Sequence, residues 1–384
     1  MKSIDRNVVM LGWVSFFTDM ASAMINPILP IFVVVVLHEG VDKLGIIVAI
    51  ATFVSYALRL VSGYISDRYG IVKPLVVGGY ALSALSKPLI GMTHGYQSIA
   101  LFKAFERVGK GLRSAPKDLM ISEYSKANAS GKTFGFHKTM DIGGELSGIL
   151  ILFILLWYFG QSETVIRNIF YATLIPGLIG LLIVAFFVRD IPKQKSISGQ
   201  TFTFTDRDRK TVGSLLFYFF FLLFVFSDAF FTIQAKEMGI SIAVIPLLFA
   251  LSAGVQTLTS YGIGLLIDKF GTERMLLFAY ICGIAAQGFL YLQEPLFTWV
   301  AYAFLGLFTV ASLNANRAFI SEYADNKGSV YGVFYAGVAL FGAVGAYISG
   351  MIWEHFGMQS ALLFSLGGTL LLTLLFAGRY YGRS

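Results

Sequence analysis

The chain has 384 residues, of which 56% are hydrophobic and only 13% charged. A soluble domain is about a quarter charged, so too little polar surface remains to cover a water-soluble particle, and lipid is the expected solvent. The single cysteine, Cys282, excludes an intramolecular disulfide and a cysteine-based metal cluster, and the net charge of +7 calls first for a test of membrane orientation rather than for nucleic acid.

A membrane-crossing helix takes about 20 mostly apolar residues. Along the chain twelve such stretches are read, at about 8–37, 44–66, 74–95, 98–122, 134–160, 165–188, 213–235, 242–266, 274–293, 296–320, 329–355 and 359–379. The first is too long for a signal peptide, and no small-residue cleavage site follows it. With both termini inside, the outer loops hold only Lys43, Arg167 and Lys236. Seventeen basic residues, from Lys2 and Arg6 to Arg379 and Arg383, then fall on the inner side. Basic residues concentrate on the cytoplasmic side of membrane proteins, which accounts for the basic balance without nucleic acid. The longest polar segment, Arg189 to Thr211, divides the chain nearly in half. The expected organisation is an all-α membrane protein with twelve transmembrane helices in two pseudo-symmetric six-helix bundles. These are residues 1–188 and 213–384, joined by a cytoplasmic linker at 189–212, and the chain is read as a monomer in a bacterial inner membrane.

The halves repeat. After the second span stands Gly63-Tyr-Ile-Ser-Asp67-Arg68-Tyr69-Gly70-Ile-Val-Lys73. After the eighth stands Gly264-Leu-Leu-Ile-Asp268-Lys269-Phe270-Gly271-Thr-Glu-Arg274, 201 residues later. Ile121-Ser122-Glu123-Tyr124 recurs as Ile320-Ser321-Glu322-Tyr323 at nearly the same offset. Two matches imply parallel six-helix repeats related by an axis along the membrane normal.

The Gly63–Lys73 segment resembles the signature loop of the major facilitator superfamily, and its second-half copy strengthens the match. Arg107-x-x-Lys110-Gly111 resembles that superfamily's second motif. Phe17-Thr18-Asp19 and the Gly109–Arg113 run are similar to a bacterial subgroup of it. Helix five carries Gly143-Gly144-Glu145 with no proline, and so departs from the Gly-Pro-rich motif of the drug antiporters. The resemblance implies a secondary carrier working by alternating access. Its signature loops (Gly63, Asp67, Arg68, Gly70, Lys73, with Gly264, Asp268, Lys269, Gly271, Arg274) would form an inner gate. There a small glycine allows close helix packing, and an aspartate accepts hydrogen bonds from a helix N-terminus.

An ionisable group at bilayer depth costs roughly 2.5–3.5 kcal/mol on insertion scales, so each one kept there calls for a role. On helix four, Lys103, Arg107, Lys110, Arg113 and Lys117 fall within an arc of about 120° at 100° per residue. Lys138, Asp141 and Glu145 share one face of helix five. Treating the two helices as a hairpin turning near Ala127 predicts Arg107–Glu145 and Arg113–Asp141 pairs. Asp19 and Asp228 stand at repeat-related positions, in Phe17-Thr18-Asp19 and Phe226-Ser227-Asp228. They lie on the helices that line the cavity in the family the chain resembles, and are the expected proton-coupling sites. Arg59 is expected near the gate, and Arg317 either beside Glu322 or in the cavity. Lys87 aligns with Gln287 in the second half and is read as structural.

Gly131-Lys132-Thr133 lacks the upstream glycine of a phosphate-binding loop, and the four histidines show no ligand spacing. No enzyme activity, metal or cofactor is expected. The expected partners are the bilayer, a small solute and protons. Cations on helices two, four and ten outnumber nearby acids, which favours an anionic or carboxylate-bearing solute, with a metal chelate such as a siderophore among the candidates. The alternatives are a non-transporting receptor or assembly factor, or a drug or lipid exporter of the same fold.

Overall fold

The computed structural model describes residues 5–124, 130–191 and 204–381, and every regular element among them is helical. The first, α1 (Arg6–Ala23), starts where the Asp5 carboxylate accepts a hydrogen bond from Asn7 N at 2.7 Å, satisfying a free amide at the helix start. It stops well before the end of its apolar stretch. Pro27 and Pro30 have no amide hydrogen to continue the helical ladder. The chain turns and resumes as α2 (Leu29–Ile31) and a π-helical run, Phe32–Val36. Next come α3 (Val41–Tyr69), α4 (Lys73–Ile90), α5 (Tyr96–Glu123), α6 (Ser130–Phe159), α7 (Glu163–Ala172) and α8 (Leu174–Phe186). They are followed by α9 (Asp206–Phe224), α10 (Asp228–Glu237), α11 (Ile245–Phe270), α12 (Thr272–Tyr291), α13 (Pro295–Tyr323), α14 (Lys327–Phe356) and α15 (Met358–Tyr381).

Each expected span coincides with one helix or with a broken pair. Among the described residues, nine stretches are long and apolar enough to cross a membrane. The other three fall short for visible reasons. Helix α1 is cut to 18 residues and carries Arg6 and Asp19, α4 carries Lys73 and Lys87, and α5 carries the charges from Lys103 to Asp118.

By packing, the chain divides into two compact units, Met1–Leu37 with Ile50–Gln200, and His38–Ala49 with Thr201–Ser384. In the first unit α5 runs along α4, while α6 and α8 run along α1. Lipid tails are as apolar as the side chains, so helix association in lipid relies on close van der Waals contact between small residues. A Cβ on Gly79 would lie 2.6 Å from Gly109 O, and one on Gly109 only 2.5 Å from Gly79 O. Likewise Gly144 and Gly148, one turn apart on α6, lie directly against the carbonyls of Phe16 and Met20 on α1.

In the second unit α13 packs on α11 and α12, and α14 on α9. Its core is aromatic: Phe221 stacks on Tyr280 at 4.3 Å and Phe219 on Phe341 at 5.7 Å. The start of α3 belongs here, where Gly45 abuts Gly350 and Glu354 Oε2 accepts from Val41 N at 2.8 Å. The buried Asp208 carboxylate accepts from the backbone amides of Asp325 and Asn326 at 2.9 and 3.0 Å, tying the start of α9 to the turn before α14.

Candidate functional site

The repeat-related acids both lie at helix interruptions. Asp19 sits four residues before the end of α1, and Asp228 is the first residue of α10. Helix seven is therefore not the continuous span expected. Its backbone becomes extended at Val225 (ψ 125°) and Ser227 (ψ 159°). The amide freed at Phe226 donates to Gln287 Oε1 at 3.3 Å, and the carbonyl freed at Phe224 receives Ser365 Oγ. On the other repeat, the buried Lys87 donates from Nζ to Thr18 O at 3.3 Å. Lys87 and Gln287, aligned in the sequence, thus each reach the backbone of the segment that carries the repeat's aspartate. Discontinuous helices whose freed backbone groups find partners inside the protein are a recurrent feature of transporter binding regions.

The densest cluster of charge lies in the first unit. Glu106 is buried on α5, with Oε2 3.1 Å from Lys103 Nζ and 3.2 Å from Arg107 Nε. Lys103 also donates to Asn26 Oδ1, within the interruption of helix one. The Arg113 guanidinium stacks over the Tyr80 ring at 4.5 Å, and its Nη1 is buried with no hydrogen-bond partner among the described residues. Lys117 Nζ donates to Ser15 Oγ at 3.2 Å. Ser15 Oγ lies 3.0 Å from His137 Nε2, and His137 Nδ1 lies 3.3 Å from Asp141 Oδ1. Lys87, Lys110, Lys117 and Glu145 are within electrostatic reach of Asp19. Lys110 and Glu145 are exposed, whereas Asp19 is half-buried.

The expected Arg107–Glu145 and Arg113–Asp141 pairs are not the ones formed. Depth matching assumed that helices four and five pack along each other, whereas α6 lies chiefly along α1 and α5 along α4. Arg107 instead takes Glu106 from its own helix, and Asp141 takes His137 from its own. The hairpin turn near Ala127 lies outside the described residues. Arg59 pairs with Asp118 of α5 at 3.4 Å. Arg317 donates to Tyr335 Oη at 3.3 Å.

In the first signature loop, the side chains of Gly63, Asp67 and Arg68 lie outside the described residues. Gly70 has φ +62°, and Lys73 Nζ donates to Ala185 O at 3.0 Å. In the second loop Gly271 has φ +86° and separates α11 from α12. A left-handed residue at the same place in both copies explains why glycine recurs there. Asp268 is exposed, Lys269 lies 5.2 Å from the Phe270 ring, and Arg274 is exposed in the first turn of α12. A Cβ on Gly264 would meet nothing within 4 Å, so close packing does not require glycine at that copy.

The family model described as Major Facilitator Superfamily matches residues 11–296 and, separately, 212–383. The chain belongs to the Major Facilitator Superfamily. It is 29% identical to "Uncharacterized MFS-type transporter MJ1317" of Methanocaldococcus jannaschii, over 97% of this chain and 95% of that protein. It is 23% identical to "Multidrug resistance protein MdtH" of Yersinia pestis, over 98% and 92% of the two chains. Among solved structures, it resembles a POT family transporter in complex with 5-aminolevulinic acid (TM-score 0.80, 12% identity, 97% and 95% covered). It also resembles the nucleoside transporter NupG (TM-score 0.78, 13% identity, 98% and 99% covered). At such identity the likeness shows the fold. The superfamily's members are transporters, and this chain is a multi-pass membrane transporter.

Two residues of this superfamily member's charged face escaped the sequence reading. Glu106 follows Lys103 by three residues and so lies on the same arc of α5, which is the sequence signal for it. His137 has no metal-ligand spacing. Its separation of four from Asp141, one helical turn, was the available signal.

Proposed function

We propose that this transporter is a secondary carrier that moves a small anionic or carboxylate-bearing solute by alternating access, with a proton as the coupled ion. The observation that carries this reading is the run Lys110, Arg113 and Lys117, three cations on one face of α5. Among the described residues none of the three forms an ion pair with a carboxylate. Retaining a cation at membrane depth without a carboxylate in direct contact is costly, and a transported anion would supply that contact. A metal chelate of a carboxylate, such as a siderophore, fits the same chemistry. Asp19 and Asp228, at the two interruptions, are the proton-binding groups in this reading. The six-helix halves, 1–188 and 213–384, are the moving bodies, with Asp67 and Asp268 in the inner gate. The membrane is a bacterial inner membrane, with both termini in the cytoplasm and the chain acting as a monomer.

A thermal-shift screen on purified protein, then uptake of the hits by proteoliposomes, tests this reading. Citrate, iron(III)–citrate, uridine and ethidium serve as the initial probes. The expected result is accumulation of a carboxylate probe driven by an inward proton gradient. Asp19→Asn should abolish that accumulation while leaving binding and exchange measurable, because the amide keeps the shape but cannot release a proton. Accumulation that ignores pH and protonophores would remove the proton from the scheme. Transport of ethidium alone would favour the second reading, drug export, which the relatives named MdtH suggest.

A further inference from the structure

Lys117, Ser15, His137 and Asp141 form a single file across three helices of the first unit. Ser15 and His137 are 2% and 5% exposed, whereas Lys117 and Asp141 at the two ends are half-buried, so water reaches the file only at its ends. The carrier reading above gives His137 no task. Its ring faces Ser15 of α1, with Asp19 one turn further along that helix. From α5 come Lys117 and Asp118, and from its own helix Lys138 and Asp141. Tyr80 of α4 reaches the same group through Lys117.

The hydrogen atoms in this file are constrained. A lysine ammonium only donates, and a serine hydroxyl has one hydrogen to give. With Lys117 donating to Ser15 Oγ at 3.2 Å, the serine is free to pass its own hydrogen to His137 Nε2 at 3.0 Å. Nε2 then accepts, and the ring's hydrogen sits on Nδ1, facing the Asp141 carboxylate at 3.3 Å. In this arrangement the imidazole is neutral. An imidazolium would donate from both nitrogens, and Ser15 would have to turn its hydrogen away and accept from Nε2–H and Lys117 together.

We infer that His137 is a proton-carrying group of the transport cycle, linked to solute binding through Ser15 and Lys117. The inference rests on the anion-carrier reading. An anion that draws the Lys117 ammonium to itself releases Ser15 Oγ from the lysine. The hydroxyl can then rotate and accept from Nε2–H, so the imidazole's lone pair takes up a proton from water while Asp141 stays as its counter-charge. Anion binding and proton uptake favour each other, as a symporter requires. By reciprocity, protonation of His137 strengthens anion binding by the same factor.

The experiment uses purified full-length protein and ethane-disulfonate, a dianion whose own charge does not change near neutral pH. In the wild type its affinity should rise at least about 5-fold between about pH 8 and pH 6, and by no more than about 100-fold, because one coupled proton changes affinity at most tenfold per pH unit. Binding in weakly buffered solution should also take up protons. His137→Gln should bind the dianion with a clearly weaker pH dependence and a smaller proton uptake, what remains being the share of Asp19 and Asp228. Ser15→Ala should keep a titrating imidazole but lose the linkage, and thermal stability of both variants checks that they fold. The same pH dependence in His137→Gln as in the wild type overturns the inference. Nitrogen-15 spectra of labelled histidine, with His137 assigned by its loss in His137→Gln, give a readout without ligand. The expected form near pH 8 is the neutral ring with hydrogen on Nδ1, and a hydrogen on Nε2 overturns the inference. Failure of the wild type to bind the dianion tells against the anion-carrier reading, and the tautomer then decides the imidazole's part separately.

Discussion

Glu106→Gln removes the carboxylate that Lys103 and Arg107 share at 3.1 and 3.2 Å. The Glu106 and Lys103 side chains are only 3% and 6% accessible, whereas that of Arg107 is 22% accessible. The cost therefore falls mainly on Lys103, because Arg107 keeps partial hydration. Breaking a buried pair by neutralising one partner costs about 3–5 kcal/mol. At about 2–4 °C per kcal/mol for a unit of this size, the apparent Tm should fall by roughly 6–20 °C. The cost comes from a buried ammonium that has lost the Glu106 carboxylate, so Lys103→Met in the same chain should recover a large part of the loss. Apparent Tm of the wild type, both single variants and the double variant, measured in one detergent, closes the cycle. Strictly additive losses would refute the argument, since they would mean that Glu106 and Lys103 do not depend on each other.

Gly78 and Gly79 are neighbours on α4 with opposite surroundings. Gly79→Ala drives a methyl group into Gly109 O at 2.6 Å and should destabilise by about 1–3 kcal/mol, whereas a Cβ on Gly78 meets nothing within 4 Å. Gly78→Ala should then be neutral or stabilising by up to about 1 kcal/mol, and thermal denaturation of the pair in parallel compares them directly. Gln287→Leu removes the acceptor of the Phe226 amide where helix seven is interrupted. An unsatisfied buried amide costs about 1–3 kcal/mol, so Tm should fall and hydrogen exchange at Phe226 should quicken; unchanged exchange would mean that another group holds the interruption.

Much of this molecule is legible in its sequence. Lipid as solvent demands long apolar helices, and among the described residues nine of the expected spans meet that demand by length and composition. The duplicated Gly63–Lys73 and Gly264–Arg274 loops carried the repeat, and the left-handed Gly70 and Gly271 show why glycine recurs in them. Helical periodicity also placed the α5 cations on one face, because that face depends only on local geometry. Partner choice depends on which helix lies alongside, and spacing within a helix does not encode it. The Gly144 and Gly148 stripe sets α6 on the backbone of α1, which brings His137 to Ser15 across 122 residues. The interruption at Val225–Ser227 contains no proline to announce it, and its freed amide is satisfied by Gln287, 61 residues away. Composition and period thus determined the solvent, the helices and their charged faces. Tertiary packing alone decided which charges meet and where the helices break, because a buried polar group is satisfied by whatever the fold brings within about 3 Å of it.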